Sequence, residues 1–215
     1  MIHIRDFTFN PFQENTYVLH DETGEAVIID AGCYEAVEQS EIRNFIQLKN
    51  LQVVNIINTH CHIDHVLGNS FVKDLYKVPL LIHALELPVL RAVKTYSSNY
   101  GFPAYHEVLP DGELKQGTTL RFGKSSMEIL FVPGHSPGHV VFYQPEQKFI
   151  IGGDVLFKRS IGRTDLPGGN HQLLINGIHQ QLFVLSDDVV VYPGHGPTTT
   201  LGEEKMYNPF CALTV

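Results

Sequence analysis

One apolar segment and the polar run after it constrain this chain most. Residues 53–57 form a near-continuous apolar stretch, and residues 60–65 then place three histidines and an aspartate in six positions. An apolar stretch of this kind is typical of a strand buried on both faces of a sheet. Open α/β sheets bind ligands at the carboxyl ends of such strands. Most single histidines bind nothing, but imidazole and carboxylate groups this dense predict a metal-binding loop.

Three later apolar segments also end in residues of the metal-binding type. His135 follows the segment 127–132, Asp154 follows 149–153, and His195 follows 189–192. Both histidines lie in turns rich in glycine and proline. Each residue taken alone is typical of a turn, whereas together with the run at 60–65 they are better explained as metal ligands.

The remaining patterns predict an alternation of strands and helices. Helices are expected over 34–48, 69–76, 85–93 and 170–185. The first of these would bury Val37, Ile42, Phe45 and Ile46 on one face. Asp30, near the end of a predicted strand, suits a turn or a position behind the metal ligands. The aromatic stretch 96–103 either covers a site or joins the two halves.

Length, composition and charge limit the class of protein. The 215 residues, 43% of them hydrophobic, suffice for a single α/β domain over 1–215, with halves at about 1–100 and 101–215. A formal net charge of -8 disfavours nucleic acid as a partner. The sequence shows neither a signal peptide nor a membrane span, and its three cysteines form no CxxC motif. These features predict a cytoplasmic protein with no membrane partner.

The motifs resemble those of the metallo-β-lactamase superfamily over essentially the whole chain. They are the run at 59–65, the Pro-Gly-His-Ser-Pro-Gly-His segment with His135, the Gly-Gly-Asp segment with Asp154, and the Pro-Gly-His-Gly-Pro segment with His195. Within the superfamily, residues 153–169 and the ending 194–210 are similar to the short glyoxalase II-like hydrolases, which lack the C-terminal helical domain of full-length hydroxyacylglutathione hydrolases.

The resemblance implies a four-layer αβ/βα sandwich of two mixed sheets with helices outside. It also implies two divalent metal ions, zinc first, with iron and manganese as alternatives. His60, His62 and His135 would hold one ion, Asp64, His65 and His195 the other, and Asp154 would bridge them. His139 would be a supporting residue.

The implied activity is hydrolysis of a small-molecule thioester, S-lactoylglutathione or a related acyl-thiol, by a metal-bound hydroxide. Asp64 and Asp154 would be the catalytic carboxylates. Lys158, Arg159 and Arg163 would bind substrate carboxylates, or else face solvent or pair with Asp165. Two alternatives stay open: a persulfide dioxygenase-like enzyme with one Fe(II), and another hydrolase of the superfamily such as a lactonase. The sequence predicts no oligomeric state.

Overall fold

Six strands form a mixed sheet in the first part of the chain. They are β1 (His3–Phe9), β2 (Glu14–His20), β3 (Glu25–Ile29), β4 (Gln52–Ile57), β5 (Leu80–His83) and β6 (Gly112–Leu114). The spatial order is the sequence order. β1, β2 and β3 pair antiparallel, and β3 through β6 pair parallel. The parallel pairing brings the carboxyl ends of β3 and β4 to the same edge of the sheet.

Helices pack against this sheet. They are α1 (Ala36–Leu48), the single turn α2 (Ile63–Val66), α3 (Asn69–Tyr76) and α4 (Leu87–Tyr96), with 3-10 turns at Ala84–Glu86 and Ser97–Tyr100. Ile28 of the sheet, Ile42 of α1, Val72 of α3 and Leu90 of α4 belong to one buried core. The predicted helical face was wrong at Val37, which is 66% exposed. Val37 lies five positions from Ile42, which places it well away from the buried side at 3.6 residues per turn.

A second mixed sheet follows. Its six strands are β7 (Thr119–Phe122), β8 (Ser125–Phe131), β9 (Val140–Gln144), β10 (Phe149–Gly153), β13 (Val190–Pro193) and β14 (Thr199–Thr200). Between β10 and β13 in sequence, β11 (Leu156–Phe157) and β12 (Ser160–Ile161) form a small hairpin. The sheet order is β14-β13-β10-β9-β8-β7, and the β11–β12 hairpin is separate. β10 and β13 run parallel, so Asp154 and His195 both follow strands that end at one edge.

The helices after residue 170 differ from the prediction in type and in number. The predicted helix over 170–185 is α5 (His171–Gly177), which continues as a π-helix over Ile178–Leu182. A Cβ at Gly177 would lie 2.9 Å from a Val132 methyl, so glycine allows the helix to pack closely there. A last helix, α6 (Leu201–Tyr207), was not predicted.

The structure is a computed structural model that describes residues 1–213. Its chain forms two compact units, one of residues 1–114 and 121–125 and the other of residues 115–120 and 126 onward. The α/β class with two mixed sheets flanked by helices is confirmed. The single domain stays a prediction. Over the described residues no helix is long and apolar enough to cross a membrane.

Candidate metal centre

The first unit gathers the three histidines of the dense run. β4 ends at Ile57, and Asp64 and His65 lie in the single turn α2. The ring centroid of His60 is 4.8 Å from that of His62 and 4.1 Å from that of His65. His60, His65 and Asp64 are buried. The run predicted as a loop is a loop up to His62, directly after β4, and continues as one helical turn over Ile63–Val66.

Asp30 orients His65 from behind. The Asp30 backbone is left-handed, with φ of 53°, and its carboxylate accepts hydrogen bonds from the Thr59 N–H at 2.7 Å and the Thr59 hydroxyl at 2.6 Å. His65 Nδ1 lies 3.1 Å from Asp30 Oδ2, while His65 Nε2 lies 3.6 Å from Asp64 Oδ2. A carboxylate favours the proton on the facing ring nitrogen, so Nε2 of His65 is left to act as a donor atom beside Asp64. Asp30 therefore forms the predicted turn and also supports a candidate ligand.

Two further contacts hold the backbone of the run in place. The N–H of Cys61 donates to Glu86 Oε2 at 2.7 Å, and Glu86 is fully buried. The Asn58 side-chain amide donates to the carbonyl of His65 at 2.8 Å. Sequence reasoning did not find Glu86, because it lies 25 positions after Cys61 and follows an ordinary strand.

Glu14 is a second buried carboxyl group that the sequence did not reveal. Its Oε2 accepts a hydrogen bond from the Thr16 hydroxyl at 2.9 Å, and its Oε1 lies 3.9 Å from His65 Nδ1. Burial raises the pKa of Glu14 well above its usual range, although His65 opposes that shift. Glu14 begins β2, a strand whose next five residues are all buried, and a glutamate there is the signal that was available.

The second unit brings the later three residues together around Asp154. His135 Nε2 lies 3.6 Å from Asp154 Oδ2, and His195 Nε2 lies 3.5 Å from the same oxygen. His135 Nδ1 is 2.8 Å from the carbonyl oxygen of Arg163. A carbonyl only accepts, so Nδ1 carries the proton and Nε2 is the donor atom that faces Asp154. His135 and Asp154 are buried, and the His195 side chain is about one quarter exposed.

Neighbouring groups fix these three side chains. His139 Nε2 accepts a hydrogen bond from the Asp154 N–H at 3.0 Å, as expected of a supporting residue. The Phe157 ring meets the His195 ring edge to face at 6.2 Å. A Cβ at Gly162 would lie 1.9 Å from the Asp154 carbonyl oxygen and 3.0 Å from His135 Nδ1, so only glycine fits at this position.

The three cations predicted to bind substrate, Lys158, Arg159 and Arg163, differ in their partners. Arg163 donates to both carboxylate oxygens of Asp165 at 2.8 Å, and Arg159 donates to Glu203 and stacks on Tyr207. Lys158 is exposed and has no ion pair among residues 1–213. A substrate carboxylate would therefore compete with Asp165 or Glu203 for the two arginines, but not for Lys158.

Comparison with known proteins gives the family context. The family model described as the Metallo-beta-lactamase superfamily matches residues 9–195. The hydroxyacylglutathione hydrolase GloC of Haemophilus influenzae is 35% identical over 201 residues, which cover 93% of each protein.

Two solved structures resemble the whole fold. The BLEG-1 B3 metallo-β-lactamase has a TM-score of 0.88 at 35% identity, covering 98% of this chain and 99% of that one. The protein TTHA1623, solved in a di-iron-bound form, has a TM-score of 0.85 at 36% identity, covering 96% and 99% respectively.

Proposed function

Because the chain belongs to the metallo-β-lactamase superfamily, as its motifs predicted, we propose that it is a metal-dependent thioester hydrolase of the glyoxalase II type. Its substrate would be S-lactoylglutathione or a related small acyl-thiol. The observation that carries the proposal is the approach of two imidazole nitrogens to within 3.6 Å of one Asp154 oxygen, in a chain that matches a hydroxyacylglutathione hydrolase over 93% of its length.

The donor set suits divalent metal ions. Imidazole nitrogens and carboxylate oxygens bind zinc, iron and manganese. The Asp30 carboxylate lies 3.1 Å behind the His65 ring, and the Arg163 carbonyl oxygen lies 2.8 Å behind the His135 ring. The residues that would hold two ions are those of the first unit, His60, His62, Asp64 and His65, and those of the second, His135, Asp154 and His195. Zinc is the first choice, and the di-iron form of TTHA1623 keeps iron as the alternative.

Such ions, when bound, lower the pKa of water toward neutrality and polarise a carbonyl oxygen. The protein supplies orientation and a proton acceptor. Asp64 presents a carboxylate 3.6 Å from His65 Nε2, where it would orient the attacking water and accept its proton. Asp30 and the Arg163 carbonyl would keep His65 and His135 in the tautomers that this chemistry needs.

A thioester needs no strong acid to assist departure of its leaving group. A thiol has a pKa of about 8.5 and leaves as the thiolate, so the carboxylates near the site have only the water to activate. This matches a site whose described groups are imidazoles and carboxylates.

The cations of the second unit are the proposed contacts for the thiol carrier. Lys158 would meet a carboxylate of a glutathione-like group first, because Arg163 and Arg159 already pair with acidic side chains. The arginines would contribute once a substrate carboxylate displaced Asp165 or Glu203.

The test combines elemental analysis of the purified protein with hydrolysis assays on a panel of thioesters and with oxygen uptake on glutathione persulfide. We expect two ions per chain, thioester cleavage and no oxygen uptake. Asp64→Asn should weaken metal binding and lose most activity, whereas His106→Gln should change neither.

Two results would contradict the proposal. If the fully metallated protein cleaved no thioester of the panel, the proposed thioester hydrolase activity would be wrong. One iron per chain together with oxygen uptake would replace it with the persulfide dioxygenase alternative.

A further inference from the structure

The turn between β1 and β2 is tied to the metal run. The Asn10 side-chain amide donates to the carbonyl of Asp64 at 3.0 Å and to that of Gly32 at 3.1 Å. The Asn10 side-chain oxygen accepts the N–H of Phe12 at 3.0 Å. The Asn10 side chain therefore holds the backbone of Phe12 close to the backbone of Asp64.

Phe12 belongs to a group of rings in the same unit. Its ring centroid lies 6.0 Å from that of Phe102 and 6.4 Å from that of Tyr100, and Tyr100 lies 5.5 Å from Tyr96. We call Phe12, Tyr96, Tyr100 and Phe102 the aromatic face. Phe12 is 39% exposed and Tyr100 is 57% exposed, so the face is open to a ligand.

The aromatic face is joined to Asp64 through Asn10. The Asn10 side chain accepts a hydrogen bond from the Phe12 N–H and donates one to the Asp64 carbonyl, so it links the backbone of Phe12 to that of Asp64. The face is therefore anchored to the residue proposed to activate water.

The chemistry of the aromatic face selects one part of a thioester. Its four side chains carry neither a carboxylate nor a cation, and aromatic rings prefer to stack on planar or apolar groups. The carboxylates of a glutathione-like carrier would find no ionic partner among these four side chains. The uncharged acyl group is the part that suits the aromatic face.

We propose that the aromatic face binds the acyl group and makes the enzyme selective for aromatic and bulky apolar acyl thioesters over lactoyl thioesters. The proposal rests on the proposed thioester hydrolysis and names its substrate class. Phe12 and Tyr100 are the residues that determine this specificity.

Binding of two stable thioethers to the metal-loaded protein tests the proposal without catalysis. S-phenacylglutathione and S-acetonylglutathione share the carrier and ketone, and differ only in phenyl against methyl. By calorimetry we expect the wild type to bind the phenacyl compound roughly tenfold more tightly. In the double variant Phe12→Ala, Tyr100→Ala that preference should fall below about twofold, with the acetonyl affinity unchanged.

Phe210→Ala is the matched control, because it removes an exposed ring of the other unit, and it should keep the full preference. Equal affinities in the wild type, or a preference that survives in the double variant, would overturn the proposal. If the double variant changed only the oligomeric state in light scattering, the face would be an interface between copies and the proposal would again fail.

Hydrolysis assays separate this proposal from the one on which it rests. Thioester cleavage without a phenacyl preference would overturn the role of the aromatic face alone. A phenacyl preference that depends on Phe12 and Tyr100, in a metal-loaded protein that cleaves no thioester, would support the binding face and overturn the hydrolase assignment.

Discussion

His135 Nδ1 lies 2.8 Å from the main-chain carbonyl oxygen of Arg163. This bond passes from the loop after β12 to a histidine on the turn after β8, and it leaves His135 Nε2 on the side of Asp154. The Arg163 side chain points to a different partner, Asp165, so the backbone and the side chain of Arg163 have separable tasks.

Gly162→Ala should disrupt this arrangement. The new Cβ would lie 1.9 Å from the Asp154 carbonyl oxygen and 3.0 Å from His135 Nδ1, so the loop must move away from both. We expect metal affinity to fall by about 10- to 100-fold, the usual effect of losing support behind a ligand. Competition with a chelator measures it. Gly152→Ala is the control, since the nearest atom to its Cβ would be a Val191 methyl at 3.2 Å, and the other neighbours lie at ordinary contact distance. Equal effects in the two variants would contradict the explanation.

Asp30→Asn separates the charge of Asp30 from its backbone conformation. Asparagine tolerates the left-handed region, so φ of 53° can persist, while one carboxylate oxygen that faces Thr59 and His65 is replaced by an NH₂ group. Metal affinity should fall by about 10- to 100-fold, with little change in the circular dichroism spectrum. Asp74→Asn removes an exposed carboxylate on α3 and should leave affinity unchanged. Full affinity in Asp30→Asn would show that His65 needs no carboxylate behind it.

Arg163→Gln should free the Asp165 carboxyl group. Two hydrogen bonds from Arg163 lower the pKa of Asp165 to about 2. Without the guanidinium the pKa should rise toward the ordinary value of about 3.9, which carbon-detected NMR titration measures. The His135 contact should persist, because the backbone carbonyl is unchanged. Arg159→Gln, whose partner is Glu203, should leave Asp165 titrating near 2. A pKa near 2 in Arg163→Gln would refute the assignment.

Asp21→Asn should weaken the first unit in a pH-dependent way. Burial acts to raise the pKa of Asp21, but hydrogen bonds from Thr23, Lys124 and Ser125 outweigh it and hold the pKa below its usual range. A depressed pKa means that the ionised form stabilises the fold above the unfolded value of about 3.9, and that this contribution is lost as the pH falls through the folded value.

Urea unfolding should therefore show a loss of about 1–3 kcal/mol at pH 7 for Asp21→Asn, and a smaller difference from wild type near pH 4. Asp188→Asn, which breaks an exposed pair with Lys148, should change stability little at either pH. If the difference in free energy of unfolding between wild type and Asp21→Asn grew as the pH fell, the ionised Asp21 carboxylate would not be the stabilising form.

The strand ends were the predictable part of the site. An apolar segment followed by a ligand-type residue is a local pattern, and it located the run at 60–65, His135, Asp154 and His195 correctly at strand ends. The parallel pairs β3–β4 and β10–β13 are consistent with the burial that their apolar sequences predict.

Glu14 and Glu86 were not predictable because their partners are distant in sequence. Glu14 lies near His65, 51 positions later, and Glu86 binds Cys61, 25 positions earlier. The two-residue strands of the β11–β12 hairpin are too short for a periodic pattern. The π-helical end of the α5 segment depends on backbone hydrogen bonding, which periodicity does not register.

The backbone of the run at 58–65 is bonded residue by residue to fixed groups: Thr59 to Asp30, Cys61 to Glu86, the carbonyl of Asp64 to Asn10, and that of His65 to Asn58. Inserting or deleting one residue there would shift every later partner by one position. Point substitutions between the histidines are local, whereas a change of length is not. Within this run we therefore expect the fold to accept substitutions but not changes of length.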